Sequence, residues 1–290
     1  MDKIGKNKIH ILLNLFLVFT FLFIPIEGSM AIASEEKITT IDYINQIKER
    51  GTLLVGIPPY NTPPFYYFDV KKNDFDGYDI NIAKGLAEKL GVEVEFDNTS
   101  KNFNDTVFRA GKGDYDLAIG KLSTTYGRMS DAHPHIYMNF RHAILVNRKF
   151  LATIPNDKNS PEFVKNLMNS NMKIGFIANS AYENYANNYM PNLKKFGFKN
   201  WKETKESLIS REIDAIYRDS TEIKKIIYQN PNLSIDYVPI MINDLEDKKS
   251  IFLSSEANFG MSEFIEFYLN DIGQKGDAEI MEQFSEYYKS

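Results

Sequence analysis

Cysteine is absent from the 290 residues. That removes disulfides, thiolate metal sites, cysteine nucleophiles and a lipid-modified N-terminal cysteine together. Basic excess is missing as well: 34 lysines and arginines against 39 acids leave a formal charge of -5, whereas a nucleic-acid surface needs a basic field to release counterions. Low-complexity tracts and internal repeats are also absent. The single long apolar run, residues 11–26, is shorter than the roughly 20 residues that span a bilayer, and Asn14, Thr20 and Pro25 interrupt it.

What is present is ordinary globular material, 43% hydrophobic and 25% charged, in a chain long enough for two domains or one large one. The apolar run follows Lys3, Lys6 and Lys8 and precedes Ala31-Ile32-Ala33. That order predicts a cleavable secretory signal peptide over 1–33. The chain from Ser34 on is therefore expected outside the cytoplasm, acidic and without an anchor.

Strand and helix patterns then alternate, which predicts an α/β fold. Ile41, Ile44 and Ile47 recur at helical spacing, Gly51 stops them, and 52–57 reads as a buried strand. A helix carrying Ile80, Ala83, Leu86 and Leu90 leads to an alternating strand at 92–96. A short helix with Phe103, Val107 and Ala110 leads to a strand at 116–119. Residues 151–161 form a loop-rich break. A second series follows: a strand at 172–177, a helix from Ser180, a helix from Trp201 through Leu208, a strand at 214–217 and a helix with Ile223, Ile226 and Ile227. Two short strands near 234–239 and 250–254 and two amphipathic helices complete the pattern.

Three segments carry candidate chemistry. At 120–128, G-K-L-S-T-T-Y-G-R, a strand ends in hydroxyl residues and a short helix presents Arg128. Strand ends of open α/β sheets are where small ligands bind. Arg128 offers a planar fork for a carboxylate, and Ser123 and Thr125 can add hydroxyl donors. The alternative is a surface arginine paired with Asp131. At 178–183, Ser180 and Glu183 have the spacing of a capping box, and the helix start they imply favours an anion; plain capping with no ligand, which is common, explains them more simply. At 214–219, D-A-I-Y-R-D, Asp219 begins a helix, where an aspartate is a normal cap. Beside Arg128 it also supplies an anion for an ammonium, and an α-amino acid carries both groups on one carbon.

The succession G-T-L-L-V-G at 51–56, Pro64-Phe65, F-D-G-Y-D at 75–79, G-D-Y-D-L at 113–117, Ser123 to Arg128, S-A-Y-E at 180–183 and D-A-x-x-x-D at 214–219 resembles the family 3 solute-binding proteins. These are extracytoplasmic amino-acid receptors of ABC importers. The resemblance runs in order from about residue 41 to the end. It implies a two-lobed periplasmic binding protein type II fold, each lobe a mixed β-sheet flanked by helices, with two hinge crossovers. Lobe 1 would be 38–142 plus 245–290, and lobe 2 would be 143–244.

By that resemblance Arg128, Ser123, Ser180 and Thr125 hold the ligand carboxylate, Asp219 takes its ammonium, and Phe65, Phe103, Lys121 and Arg218 surround its side chain. No cofactor or metal is implied. The partners implied are a small-molecule amino acid and an ABC transporter permease, for a monomer in the periplasm. Lys121 stands where relatives have a small residue, and Asn179 replaces a glycine. If Lys121 and Arg218 face the cleft, an acidic or amide side chain suits it better than a cationic one; otherwise both are solvated rim cations. Two other readings remain. One is a secreted cyclohexadienyl dehydratase-like enzyme with Glu183 as general acid; the other is a ligand sensor acting through a separate partner.

Overall fold

The computed structural model describes residues 42–155 and 161–288; the expected signal peptide lies outside them. Helix α1 (Asp42–Arg50) leads into β1 (Thr52–Gly56). A hairpin, β2 (Tyr67–Asp69) and β3 (Asp74–Asp76), precedes α2 (Tyr78–Leu90) and β4 (Glu93–Asp97). Helix α3 (Phe103–Gly111), β5 (Leu117–Ala118) and the one-turn α4 (Tyr126–Met129) follow. A long strand, β6 (His133–Asn147), then leads through α5 (Arg148–Leu151) and α6 (Pro161–Met168) to the second series. That series is β7 (Lys173–Ile177), α7 (Ala181–Tyr189), β8 (Lys194–Phe198), α8 (Trp201–Ile209), β9 (Ala215–Asp219) and α9 (Ser220–Gln229). The long β10 (Tyr237–Leu253), α10 (Phe259–Ile272), β11 (Lys275–Gly276) and α11 (Asp277–Gln283) complete it.

The strands join in the order β4-β1-β5-β10-β6-β9-β7-β8. β1 pairs in parallel with β4 and β5 at one end, and β7 pairs in parallel with β8 and β9 at the other. Between them β6 and β10 form an antiparallel ribbon, so the two βα series are linked by two strands that run through both. Here the sequence reading needs correcting. The strands expected near 234–239 and 250–254 are the two ends of β10, whose polar middle, N-D-L-E-D-K-K at 243–249, hid its continuity. The ribbon is irregular where Ile242 pairs with His142 but Glu246 with Arg141, leaving three residues bulged. Such a bulge bends a strand pair. Of the expected lobe boundaries, 244/245 lies among the bulged residues and 142/143 lies one residue from the irregular step on β6.

Each series has its own core. One is built on Ile47, Leu53, Val55, Ile80, Leu86 and Ile265, the other on Ile144, Leu167, Ile174, Phe176 and Tyr217. The first is tied by Asp116, buried before β5, which accepts bonds from Tyr43 Oη at 2.9 Å and the Leu54 amide at 2.7 Å and pairs with Arg50. Asp116→Ala strands three donors; Arg50 is 40% exposed and can turn to water, but leaving the Tyr43 hydroxyl and the Leu54 amide unsatisfied costs about 1–3 kcal/mol. A urea titration should show that loss. A change below about 1 kcal/mol would mean that Asp116 is no tie.

Candidate functional site

The end of β5 turns sharply. Gly120 has φ +140, and a Cβ there would sit 2.3 Å from the Pro58 ring, so only glycine lets the chain pass. Lys121 follows in the left-handed region, φ 55, an uncommon state for a residue with a side chain. Its amide is fixed by Asp79 Oδ2 at 2.7 Å and Tyr137 Oη at 3.2 Å. Asp79 is wholly buried with its Oδ1 unpartnered, and burial pushes its carboxyl up to about 7 against the opposing donations of Tyr137 and the Lys121 amide. A carboxyl raised on folding binds its proton more tightly in the native state, so its contribution to stability falls as pH rises from about 4 to about 7. Measured against Asp79→Asn, the parent should lose stability across that window. Parallel profiles of the two proteins would contradict this.

Arg128, on α4, is buried and its fork is pre-set. Nη1 donates to the Ser123 carbonyl at 2.8 Å, and Nε and Nη2 donate to Asn104 Oδ1 at 3.1 and 3.0 Å. Five N–H groups minus these three leaves one on each Nη, the end-on pair that meets a carboxylate. Burial lowers the guanidinium pKa to about 10, still charged at neutral pH. The Asp131 pairing weighed from sequence is not what holds this side chain. Thr125 instead caps α4, its Oγ1 accepting the Arg128 amide at 3.3 Å.

From the second series, Asp219 ends β9 and caps α9, its Oδ1 accepting the Glu222 amide at 3.2 Å. Burial works against its charge, but Lys121, Lys249 and Arg218 outweigh it and hold the carboxyl well below the usual range. Ser180 opens α7 after Asn179, whose φ of 55 explains why a glycine suits that position. The capping box expected of Ser180 and Glu183 does not form. The Ser180 hydroxyl donates to the Ile177 carbonyl at 2.6 Å, while Glu183 Oε2 accepts the Asn179 amide at 2.7 Å.

Lysines knit the two series together. Lys121 Nζ donates to Asp219 Oδ1 at 3.0 Å, Thr221 Oγ1 at 3.0 Å and Glu222 Oε1 at 3.2 Å, and lies 4.1 Å from the centre of the Phe65 ring. Lys249 Nζ donates to Ser123 Oγ at 2.9 Å and pairs with Asp247, which Tyr182 Oη also contacts. Tyr185 Oη reaches the Thr124 carbonyl at 3.0 Å.

These groups enclose a cavity of about 20 Å³, room for roughly one water. Arg128, Ser123, Ser180, Asp219, Phe103, Lys121 and Arg218 all line it. Lys249, Tyr182 and Ala181 line it too and were not singled out from the sequence. Two expectations fail. Phe65 is fully buried beneath the Lys121 ammonium, which takes the ring face offered to a ligand. Thr125 faces a separate outer cleft with Tyr185 and Lys248, because capping α4 turns its hydroxyl away. Lys121 and Arg218 are not rim cations; they are 5% and 6% exposed. Glu183 is not among the residues that line this cavity.

Next to this cavity, sharing Phe103 and Arg218, a vestibule of about 620 Å³ opens between Pro59–Pro63 and the α8 and α9 helices. Tyr60 and Phe103 stack in it at 4.8 Å between centroids, and the Arg218 guanidinium lies 4.9 Å from the Trp201 ring centre.

A sequence model of the bacterial extracellular solute-binding proteins, family 3, matches residues 53–227, the stretch from β1 through most of α9. The chain belongs to this family. As a family 3 solute-binding protein it is 24% identical over 194 residues to a glutamine-binding protein of Geobacillus stearothermophilus, covering 66% of this chain and 70% of that one. A shorter stretch of 56 residues is 39% identical to the L-cystine-binding protein TcyJ of Escherichia coli K12, 19% of this chain and 20% of the other. Among solved structures, the arginine-bound ABC transporter substrate-binding protein AbpA of Streptococcus pneumoniae superposes with a TM-score of 0.66 at 22% identity, over 84% of this chain and 97% of that one. An ancestral amino acid-binding protein described as a precursor of cyclohexadienyl dehydratase gives 0.63 at 22% identity, over 84% of this chain and 96% of its own. The fold is therefore the two-lobed type II periplasmic binding protein, with β6 and β10 as its crossovers. Among the described residues no helix is long and apolar enough to cross a membrane.

Proposed function

We propose that this solute-binding protein captures a polar amino acid between its lobes and presents it, as a monomer outside the cytoplasm, to the permease of an ABC importer. The observation that carries the reading is the pairing across one cavity of an arginine fork with two free N–H groups and an aspartate whose Oδ2 is buried without a partner. The α-carboxylate would sit on Arg128 with Ser123 and Ser180 nearby, and the α-ammonium on Asp219 Oδ2. The glutamine, cystine and arginine ligands named for the relatives support the class of solute. Because Arg128 and Asp219 come from opposite lobes, the ligand interacts fully only with the closed form. It therefore shifts the population toward closure through the bulged ribbon, and the closed shape is what a permease would read. The lobes would be 38–142 with 245–290, and 143–244, and residues 1–33 would be the export signal.

Thermal unfolding tests this on protein stripped of carried-over ligand by unfolding and refolding. An amino acid at 100 times its Kd adds about 2.7 kcal/mol, or about 5–10 °C in a chain of this size. A panel of L-amino acids should contain at least one such shift. Silence across the panel, with prephenate consumed, would replace transport by the dehydratase reading.

A further inference from the structure

Arg218 is a buried cation without a hydrogen bond among the described residues. The residue is 6% exposed, its guanidinium carbon lies 4.9 Å from the centre of the Trp201 ring, and among the described residues the one carboxylate within ion-pair range is Asp219, whose Oδ2 is 3.9 Å from Nε, too far for a hydrogen bond. Every other charged group at the inner cavity is engaged. Arg128 is held by Asn104 and Ser123, Lys121 by Asp219, Thr221 and Glu222, and Lys249 by Asp247 and Ser123. A desolvated guanidinium with unused donors is costly unless something accepts from it. Its place, on the wall shared by the cavity and the vestibule, lets a ligand do so. Packing over the Trp201 ring restrains the side chain, which lowers the entropy lost when an anion pairs with it.

The surroundings agree in sign. The vestibule adds Lys202, Lys205 and Lys225 against Glu222 alone, and Glu222 already accepts from Lys121. The inner cavity carries four cations against Asp219, and with Glu222 and Asp247 bonded to Lys121 and Lys249 one positive charge is left over, in a chain whose formal charge is -5. A zwitterionic amino acid adds no net charge to this site, and a cationic one adds a further positive charge beside Arg218. A second carboxylate neutralises the surplus and fills the unused fork.

We propose that Arg218 is the specificity-determining residue and that the cleft takes an acidic amino acid, with its side-chain carboxylate accepting a bidentate pair from the Arg218 fork. This rests on the amino-acid reading above and narrows it. It departs from the arginine carried by the superposed structure, since a ligand guanidinium at this place would face Arg218, Lys205 and Lys225.

Trp201 is the sole tryptophan and packs against the residue in question, so its fluorescence reports the event directly. Stripped protein is titrated with L-glutamate, L-aspartate, L-glutamine, L-asparagine and L-arginine, and calorimetry repeats any silent titration. The expected result is that at least one acid binds about 10-fold or more tightly than its amide, and that arginine does not bind. Arg218→Gln should then weaken the acid by about 30-fold or more while moving the amide far less. Lys205→Glu, at the vestibule wall, keeps the protein testable if Arg218→Gln fails to fold; it should weaken the acid and spare the amide. Amide or arginine binding that equals or exceeds acid binding overturns the assignment while leaving amino-acid capture intact. If none of the 20 common amino acids binds, the capture reading falls and this assignment falls with it.

Discussion

Replacing Arg128 by alanine should weaken amino-acid binding by about 100-fold or more, the scale seen when one partner of a buried, hydrogen-bonded charge pair is removed. The geometry explains the size. Asn104 and the Ser123 carbonyl already hold three of the five donors, so the guanidinium is oriented before ligand arrives and little ordering entropy remains to be lost. Truncation deletes one of the two arginine forks that line the cavity among the described residues. The protein itself should survive, losing the about 1–3 kcal/mol of leaving Asn104 Oδ1 and the Ser123 carbonyl unsatisfied. Calorimetric titration together with a denaturation curve separates the two. A folded Arg128→Ala protein with unchanged affinity would remove the carboxylate seat.

The second large effect belongs to Lys121. Its ammonium is the shared partner of Asp219 and Glu222, both 4% exposed or less. Burial opposes the charge of each carboxylate, and Lys121 is the leading influence holding both low. Lys121→Met should therefore cost about 3–5 kcal/mol, as for other broken buried pairs. At about 2–4 °C per kcal/mol that lowers Tm by about 6–20 °C. The loss should shrink as pH falls below about 4. There the unfolded chain takes up protons that the native carboxylates, with their lowered pKa, refuse, and the parent loses the advantage of the pairing. Because the triad ties the end of β5 to β9 and α9, a Tm change of only a degree or two at neutral pH would show that these groups are hydrated in solution.

Much of this was legible in the sequence because each feature has a local cause. Periodicity marked α2, α3 and α9, cap spacing marked the start of α7, and the residues named from the ordered motifs include Ser123, Arg128, Ser180 and Asp219, which line one cavity. What escaped depends on distant groups. No local pattern says that Lys121 folds back over Phe65 and takes the ring from the ligand, since its partners are Asp219 and Glu222, about a hundred residues on. Lys249 and Asp247 were hidden with the middle of β10, although their i, i+2 spacing places both on one face of an extended strand. The unused donors of Arg218 were invisible too, because being unpartnered is a property of the packed neighbourhood rather than of any motif.

The central claim is that one ligand is gripped at both ends, by Arg128 and by Asp219. Calorimetric titration of the stripped protein with its best amino acid, the α-methyl ester of that amino acid and the α-desamino acid tests both ends at once. The account predicts one saturable site for the amino acid and affinities lower by about 30-fold or more for each analogue. An ester or a desamino acid that binds as tightly as the amino acid would show that one end of the grip does not exist.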